Sequence, residues 1–267
     1  MLLGTQWFSR RRLAQFAIAA TAILGSVSSS AAADQRYKTE YRITLAGLPI
    51  ANASFVTQLD SRTYSISGSV RSSGIVDLIT KITAQTTVSG TVQGSNKLQA
   101  KRYSLVYKSD ERTRTYEVRF ANGDVTSTTM KPSRRSRAKN WVPVAAHDLK
   151  SVLDPISGLI FAEGDRICPK TLPIYDGESR MDLVLSPKGT RTFTAGDFTG
   201  EAIVCGIRYV PKSGFAKGRS DIEYLRKASD MEIWFAKTEV MKVYAPVYAR
   251  VPTRMGPLYI TAVNFGG

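Results

Sequence analysis

Histidine is nearly missing from this chain. His147 is the only one, which removes every metal centre built on several imidazoles and leaves any Ser-His-Asp set hanging on that residue. A G-x-S-x-G elbow is absent, and His147 stands at the head of an apolar segment, so it reads as a helix-start position rather than a catalytic base. A Walker loop, a Rossmann glycine fingerprint and a calcium loop are missing too, so no cofactor is expected. Cysteine is scarce: Cys168 and Cys205 are too far apart for a C-x-x-C redox motif. Acidic residues are the minority charge, 22 against 37 Lys and Arg, a net +15. No apolar run reaches the roughly 20 residues that a membrane-spanning helix needs.

What is present begins with a leader. Arg10, Arg11 and Arg12 precede "LAQFAIAATAILGSV" (Leu13 to Val27), and "SSSAAA" follows, with Ala31 and Ala33 in an A-x-A site before Asp34. Basic, apolar and small residues in that order predict a cleaved signal peptide over residues 1–33. "SRRRLAQ" also resembles a twin-arginine signal, with Leu13 where Phe is commoner; the general secretory route is the simpler expectation. No cysteine lies near the cleavage point to carry a lipid. Residues 34–267 are therefore expected as a single β-rich periplasmic domain, soluble rather than membrane-spanning, with 34 basic against 22 acidic residues, or +12.

Export changes what the charge means. A basic cytosolic chain points to nucleic acid, but an exported one does not meet it. The remaining anionic partners are lipid head groups, lipopolysaccharide phosphates, cell-wall polymer or an envelope protein, and the alternative is a generic basic surface. The oxidising compartment also makes a Cys168–Cys205 disulfide the expectation, two buried thiols being the other reading.

From Tyr37 to Lys131 the pattern is a β-meander rich in Thr, Val, Tyr and Ile. Tyr116, Val118 and Phe120 alternate with Glu117 and Arg119, the period of a sheet with one wet face. Asn122-Gly123 predicts a two-residue hairpin turn, because both positions tolerate positive φ. "SGIVDLIT" (Ser73 to Thr80) interrupts the meander as a short helix or loop. "KPSRRSRAKN" (Lys131 to Asn140) is basic and free of acid; Arg134, Arg135, Arg137 and Lys139 are candidate anion contacts, against the plainer reading of a solvated charge run. Next, Leu149, Val152, Leu153, Ile156, Leu159 and Ile160 recur at spacings of three and four, which predicts an amphipathic helix. Asp148 is placed to cap its first turn, and Asp154-Pro155 breaks it into two pieces. Strands resume to the end of the sequence, with "SDIEYLRKA" (Ser220 to Ala228) as a helix or an irregular excursion. The fold class is mainly β (α+β): a strongly curved antiparallel sheet or half-barrel wrapped around one broken helix.

The densest polar cluster is "YDGESRMDLVLSP" (Tyr175 to Pro187). Asp176-Gly177 reads as a hairpin turn pair, and Glu178, Arg180 and Asp182 as side chains of one strand face, with Arg180 between two carboxylates. An arginine neighbour lowers a carboxyl pKa and works against a general acid, so a structural ion-pair hairpin is favoured over a cell-wall glycan hydrolase using this region. Tyr103, Tyr107, Tyr116, Phe120, Tyr209, Trp234, Phe235, Tyr244 and Tyr248 either fill the core or line an apolar pocket.

Five stretches, "VLDPISGLIF", "CPKTLPIYDGESRMDLVL", "GEAIVCGIRYVPKSGF", "MEIWFA" and "VPTRMGPLYITAVNF", resemble the bacterial envelope family known as domain of unknown function 3108, and "YRITLAGLPIANASF" matches its first hairpin. The resemblance runs from about Tyr37 to Phe265, with Gly158 standing where alanine is expected. It implies an exported β-rich protein, similar by fold analogy to periplasmic lipoprotein carriers and envelope-integrity proteins, and it supplies no catalytic residues. The expected function is non-catalytic: binding an apolar or amphipathic envelope component, or a protein partner, in envelope homeostasis. A purely structural scaffold is a further alternative. If the leader reading holds, the chain recovered from a bacterial envelope has an intact mass that starts at Asp34; a mass that includes Met1 to Ala33 would refute it.

Overall fold

The computed structural model describes residues 35–266 except 95, 111, 134 and 135. The predicted leader therefore lies outside the described residues, as do Arg134 and Arg135 of the basic run.

The meander forms with short connections. Its strands are β1 (Gln35–Leu45), β2 (Leu48–Leu59), β3 (Thr63–Ser72), β4 (Ile82–Gln93), β5 (Lys97–Ser109), β6 (Arg112–Ala121) and β7 (Asp124–Lys131). Only β3 and β4 are linked by a helix, α1 (Ile75–Ile79). At the β6–β7 turn Ala121 pairs with Asp124, while Asn122 and Gly123 take φ of 53° and 85°, the left-handed geometry the dipeptide predicts. Alternation is clear on β3: Tyr64, Ile66 and Gly68 are buried, and Ser67 and Ser69 face solvent.

A second antiparallel set comprises β10 (Lys170–Tyr175), β11 (Arg180–Ala195), β12 (Phe198–Ser213), β14 (Met231–Lys237), β15 (Val243–Thr253) and β16 (Gly256–Phe265). The short strands β8 (Trp141–Val142) and β13 (Phe215–Ala216) pair with each other, and helix α2 (Ser220–Lys227) follows β13. One ladder joins the two sets, because β16 pairs with β1 from Phe265 opposite Thr39 to Leu258 opposite Leu45. The order β10-β11-β12-β14-β15-β16-β1-β2-β3-β4-β5-β6-β7 is a single curved sheet that does not close on itself. The fold is thus mainly antiparallel β in one open half-barrel.

The segment expected as a broken helix forms something else. Ala146–Leu149 and Ser157–Leu159 are single 3-10 turns; between them the chain bends at Ser151 (φ 51°), runs beside β10 at Leu153 and turns again at Pro155 and Ile156. Asp148 does cap the first turn, its Oδ2 accepting the Ala145 N–H at 3.1 Å. This segment is a strap that stitches the two edges of the sheet. Val152 N–H donates to the Gly123 carbonyl (2.8 Å) beside β7, while Leu153 N–H donates to Pro173 (2.8 Å) and its carbonyl receives Tyr175 N–H (2.9 Å) on β10. The strap continues into β9 (Phe161–Ala162), which pairs with β15. Gly158 is required here: a Cβ at that position would sit 2.8 Å from the Leu153 Cβ and 3.3 Å from the Ile174 Cδ1.

The strap also explains its own helix-like spacing. Val152, Leu149, Ile156 and Ile160 pack on the core formed by β1–β7 and β14–β16, with Tyr64, Tyr103, Val118 and Phe265. Leu153 and Leu159 pack on a second core with Ile167, Leu172, Leu185 and Phe235. An irregular segment packed between two cores must be apolar on both sides, and that places large residues every few positions without a continuous helix.

Cys168 and Cys205 form a disulfide, with Cα atoms 6.2 Å apart and Cys205 fully buried in the second core. It ties the chain after β9 to the middle of β12. Closing a loop of 37 positions contributes about 3–4 kcal/mol in the chain-entropy account. A Cys168→Ser/Cys205→Ser double variant is therefore expected to melt roughly 10 °C lower; an unchanged melting temperature under non-reducing conditions would show that the bridge adds nothing.

Candidate functional site

The concave face of the half-barrel is not filled. A cavity of about 260 Å³ lies between β1–β3 on one side and β14–β16 on the other, with the strap as its cover. Period-two alternation aims Tyr37, Thr39, Tyr41 and Ile43 of β1 into it, with Ala53, Phe55 and Thr57 of β2 and Ile66 and Val70 of β3. The facing wall carries small side chains at Ala245 and Ala249, and the strap contributes Pro155, Ile156, Leu159 and Ile160. Gly68 adds nothing because the Phe55 ring occupies its place, 2.4 Å from where a Cβ would stand.

No charged side chain lines this space. Of its few polar atoms, the Tyr41 hydroxyl donates to the Pro246 carbonyl at 2.7 Å, whereas the buried Tyr37 hydroxyl has no hydrogen-bond partner among the described residues; burial pushes both phenols far above their ordinary range. Exposure is graded along the cavity. Tyr37, Thr39, Thr57, Ile66, Met241 and Val243 at the floor are buried. Ile43, Val70, Ala249 and Ile260, towards the ends of β1, β3 and β15, are part-exposed. The register puts Ile43 beside Ile260 and Ile260 beside Ala249, so these residues share one rim, where the cavity opens.

The strap itself carries one buried carboxyl group. Asp154 is 1 % exposed. Its Oδ1 accepts Ile156 N–H at 2.9 Å and Ser157 N–H at 2.8 Å, and its Oδ2 accepts the Ser157 hydroxyl. Ser157 Oγ in turn receives the Tyr64 hydroxyl from β3 at 2.9 Å. Burial raises the Asp154 pKa, partly offset by these hydrogen bonds. The sequence marks Asp154 as a cap, and it does cap a turn. Its depth and its relay to Tyr64 have no sequence signal, because Tyr64 lies ninety-three positions away.

The predicted polar cluster is arranged differently from its sequence reading. Tyr175 pairs with Arg180, so Asp176 to Ser179 form a four-residue connection rather than a two-residue turn. Asp176 Oδ1 holds that loop by accepting Glu178 N–H at 2.8 Å and Ser179 N–H at 2.6 Å, an Asx turn. Of the two carboxylates beside it on the strand, Arg180 pairs with Asp182. Its Nη1 pairs with Asp182 Oδ1 at 2.6 Å and its Nε donates to the Asp148 carbonyl, while Lys212 lies 3.3 Å from Asp182 Oδ2. Glu178 instead receives the Tyr116 hydroxyl at 3.4 Å. Asp176 and Glu178 do share a hollow of about 280 Å³ with Leu105, Tyr107, Arg114 and Tyr116, and burial raises the Asp176 pKa.

The remaining candidates lie away from the cavity. Arg137 stacks on the Trp141 ring, 4.6 Å from its centroid, and Lys139 is exposed. His147 points outward, 3.5 Å from Asp148 Oδ1. Among the described residues no group of three or more His, Cys, Asp or Glu side chains is disposed to hold a metal ion. Of the aromatics, Tyr41, Phe55 and Tyr248 line the cavity, whereas Tyr103, Phe120 and Phe235 belong to packed cores.

These features define an open, β-barrel-like protein with an apolar lumen. Residues 40–263 match the family described as protein of unknown function DUF3108, and the chain belongs to that family. No curated protein matches the sequence. A solved structure, a β-barrel-like protein of domain of unknown function DUF1849 from Brucella abortus, is similar with a TM-score of 0.46 at 8 % identity. That likeness covers 86 % of this chain and 97 % of the other.

Asp154→Ala leaves two buried amides without an acceptor and is expected to cost about 2–4 kcal/mol of unfolding free energy. The pH dependence has a definite sign. Above the ordinary value of 3.8 an unfolded chain has released this proton while the folded protein still holds it. The group's contribution is therefore full below that value and is lost as pH rises through the folded-state pKa. Asp154→Asn has no proton to lose, so denaturation of the two proteins across pH 4–8 should show the wild type losing stability relative to the variant. Parallel curves would mean that the carboxyl is not perturbed.

Proposed function

We propose that this is an exported, non-catalytic protein of the bacterial envelope that holds the alkyl part of an apolar or amphipathic envelope component. The observation that carries this reading is the uncharged cavity of about 260 Å³, floored by buried side chains and open at one rim. An engineered apolar cavity of about 150 Å³ already takes benzene, so this one has room for a larger group. Ligand sites of this kind are concave and mainly apolar with a few placed polar atoms, a description that Thr39, Thr57 and the tyrosines of the lining meet. The leader and the disulfide support the envelope setting.

The other readings have less support. Scaffolding predicts an interior filled by its own side chains, and the lumen is not filled. Hydrolysis of glycan would draw on Asp176, Glu178 and Asp182. Asp176 is committed to two backbone N–H groups, and Asp182 is neutralised by Arg180 and Lys212.

The test uses N-phenyl-1-naphthylamine, an uncharged dye that brightens in apolar sites. Wild-type protein should bind it, and lipids extracted from envelope-purified protein should compete. Ala53→Phe and Ala249→Phe fill the cavity from opposite walls and should weaken binding about tenfold or more. Glu178→Gln should leave binding unchanged. Uptake that is equal in wild type and in a folded Ala249→Phe variant would defeat the proposal.

A further inference from the structure

The rim at which the cavity opens has a surface of its own. Three connections meet there: the β1–β2 turn, the β3–β4 connection with α1, and the β15–β16 turn. They form one continuous edge. Ala46 N–H donates to the Pro257 carbonyl (2.9 Å) and Ser73 N–H to the Ile50 carbonyl (2.9 Å), and a Cβ on Gly256 would touch Ala46. The strands between the outer two connections are adjacent, so at about 4.8 Å per strand the edge spans about 19 Å.

Each of the three connections ends in a large apolar side chain turned to solvent. These are Leu48, Ile75, Ile79 and Met255, the last two 80 % and 74 % exposed. Four of the seven large hydrophobic residues exposed on the described surface are thus gathered on this edge. Single exposed apolar residues need no explanation; a set of them at the mouth of an apolar cavity does.

The charges beside them are mainly basic. Arg42, Arg71, Lys81 and Arg254 are exposed and take part in no ion pair among the described residues. Two acids of the edge, Asp77 and Asp110, accept the Ser72 hydroxyl at 2.8 Å and the Thr80 hydroxyl at 2.7 Å and keep their charge, so these six groups leave the edge net cationic. Apolar tips with a cationic collar match a bilayer whose head groups are anionic: the tips reach the acyl boundary while the cations stay at phosphate level. A protein partner needs a packed, contiguous patch, whereas these tips are spread over three connections along the edge.

We infer that this rim docks on an anionic phospholipid surface and brings the mouth of the cavity against the acyl chains. The inference rests on the proposed function and extends it, since docking lets an alkyl chain pass between bilayer and lumen without crossing water.

Flotation with vesicles tests it, using phosphatidylglycerol–phosphatidylcholine mixtures beside phosphatidylcholine alone. The full mature chain should float with the anionic vesicles, and less at 1 M salt, where the Debye length falls to about 3 Å. Ile79→Asp/Met255→Asp should reduce flotation about tenfold, and Arg71→Gln/Arg254→Gln about tenfold or more on anionic vesicles. Both variants should bind N-phenyl-1-naphthylamine as the wild type does. Flotation of the Ile79→Asp/Met255→Asp protein at the wild-type level would overturn the docking. So would a wild type that stays in solution while binding the dye, which would leave the cavity reading standing. Loss of dye binding by the wild type would remove both.

Discussion

One buried carboxylate shapes the rest of this molecule. The strap from Ser151 to Leu159 turns within the half-barrel, and Asp154 supplies the acceptors for two of its amides, those of Ile156 and Ser157. A carboxyl group in such a place is costly unless every oxygen is bonded. Here both oxygens are, and the Ser157–Tyr64 link extends the set to β3. The strap that this turn anchors is what connects the β7 and β10 sides of a sheet whose ladder never closes. The roof of the cavity and the link between the two edges of the sheet thus share one local arrangement.

The cavity follows from what stands opposite that roof. Two curved walls covered by large side chains would meet in the middle and pack. Instead Ala53, Ala245 and Ala249 occupy positions that face the lumen, and the strap is tied at its edges by its bonds to Gly123 and Pro173. A protein interior normally packs to the density of an organic crystal, so a void of this size is an expense that the two well-packed cores on either side must offset. Those cores contain the fully buried Phe235, Phe265, Leu172 and Val118.

Much of the frame was legible in the residues. Alternation in the meander, the Asn122-Gly123 turn and the fold class all follow from local rules, because a strand or a tight turn is specified by its own few residues. The strap was not legible. Leu149 to Ile160 has the spacing of a helix, but that spacing records burial on two sides, which only the tertiary arrangement reveals. Ser151, with φ of 51°, and the Asp154-Pro155 pair interrupt the regular turn such a helix needs. The Asp176-Gly177 pair misleads for a related reason, since Asp176 closes a longer loop through its side chain. As for the cavity, residues such as Thr39, Ala53 and Ala249 carry no individual mark. They become a site only through a register that sets distant strands side by side.

The pairing of β1 with β16 carries a consequence for the order of assembly. Every other neighbour in the meander is close along the chain, yet the edge of β1 opposite β2 remains an unpaired template until Phe265 and the residues before it are available. Contacts of such long sequence separation form late and slowly. A nascent chain of this wiring can fold hairpin by hairpin, but its two walls join only when the final strand slides into the gap, like the last stave that tightens a cask.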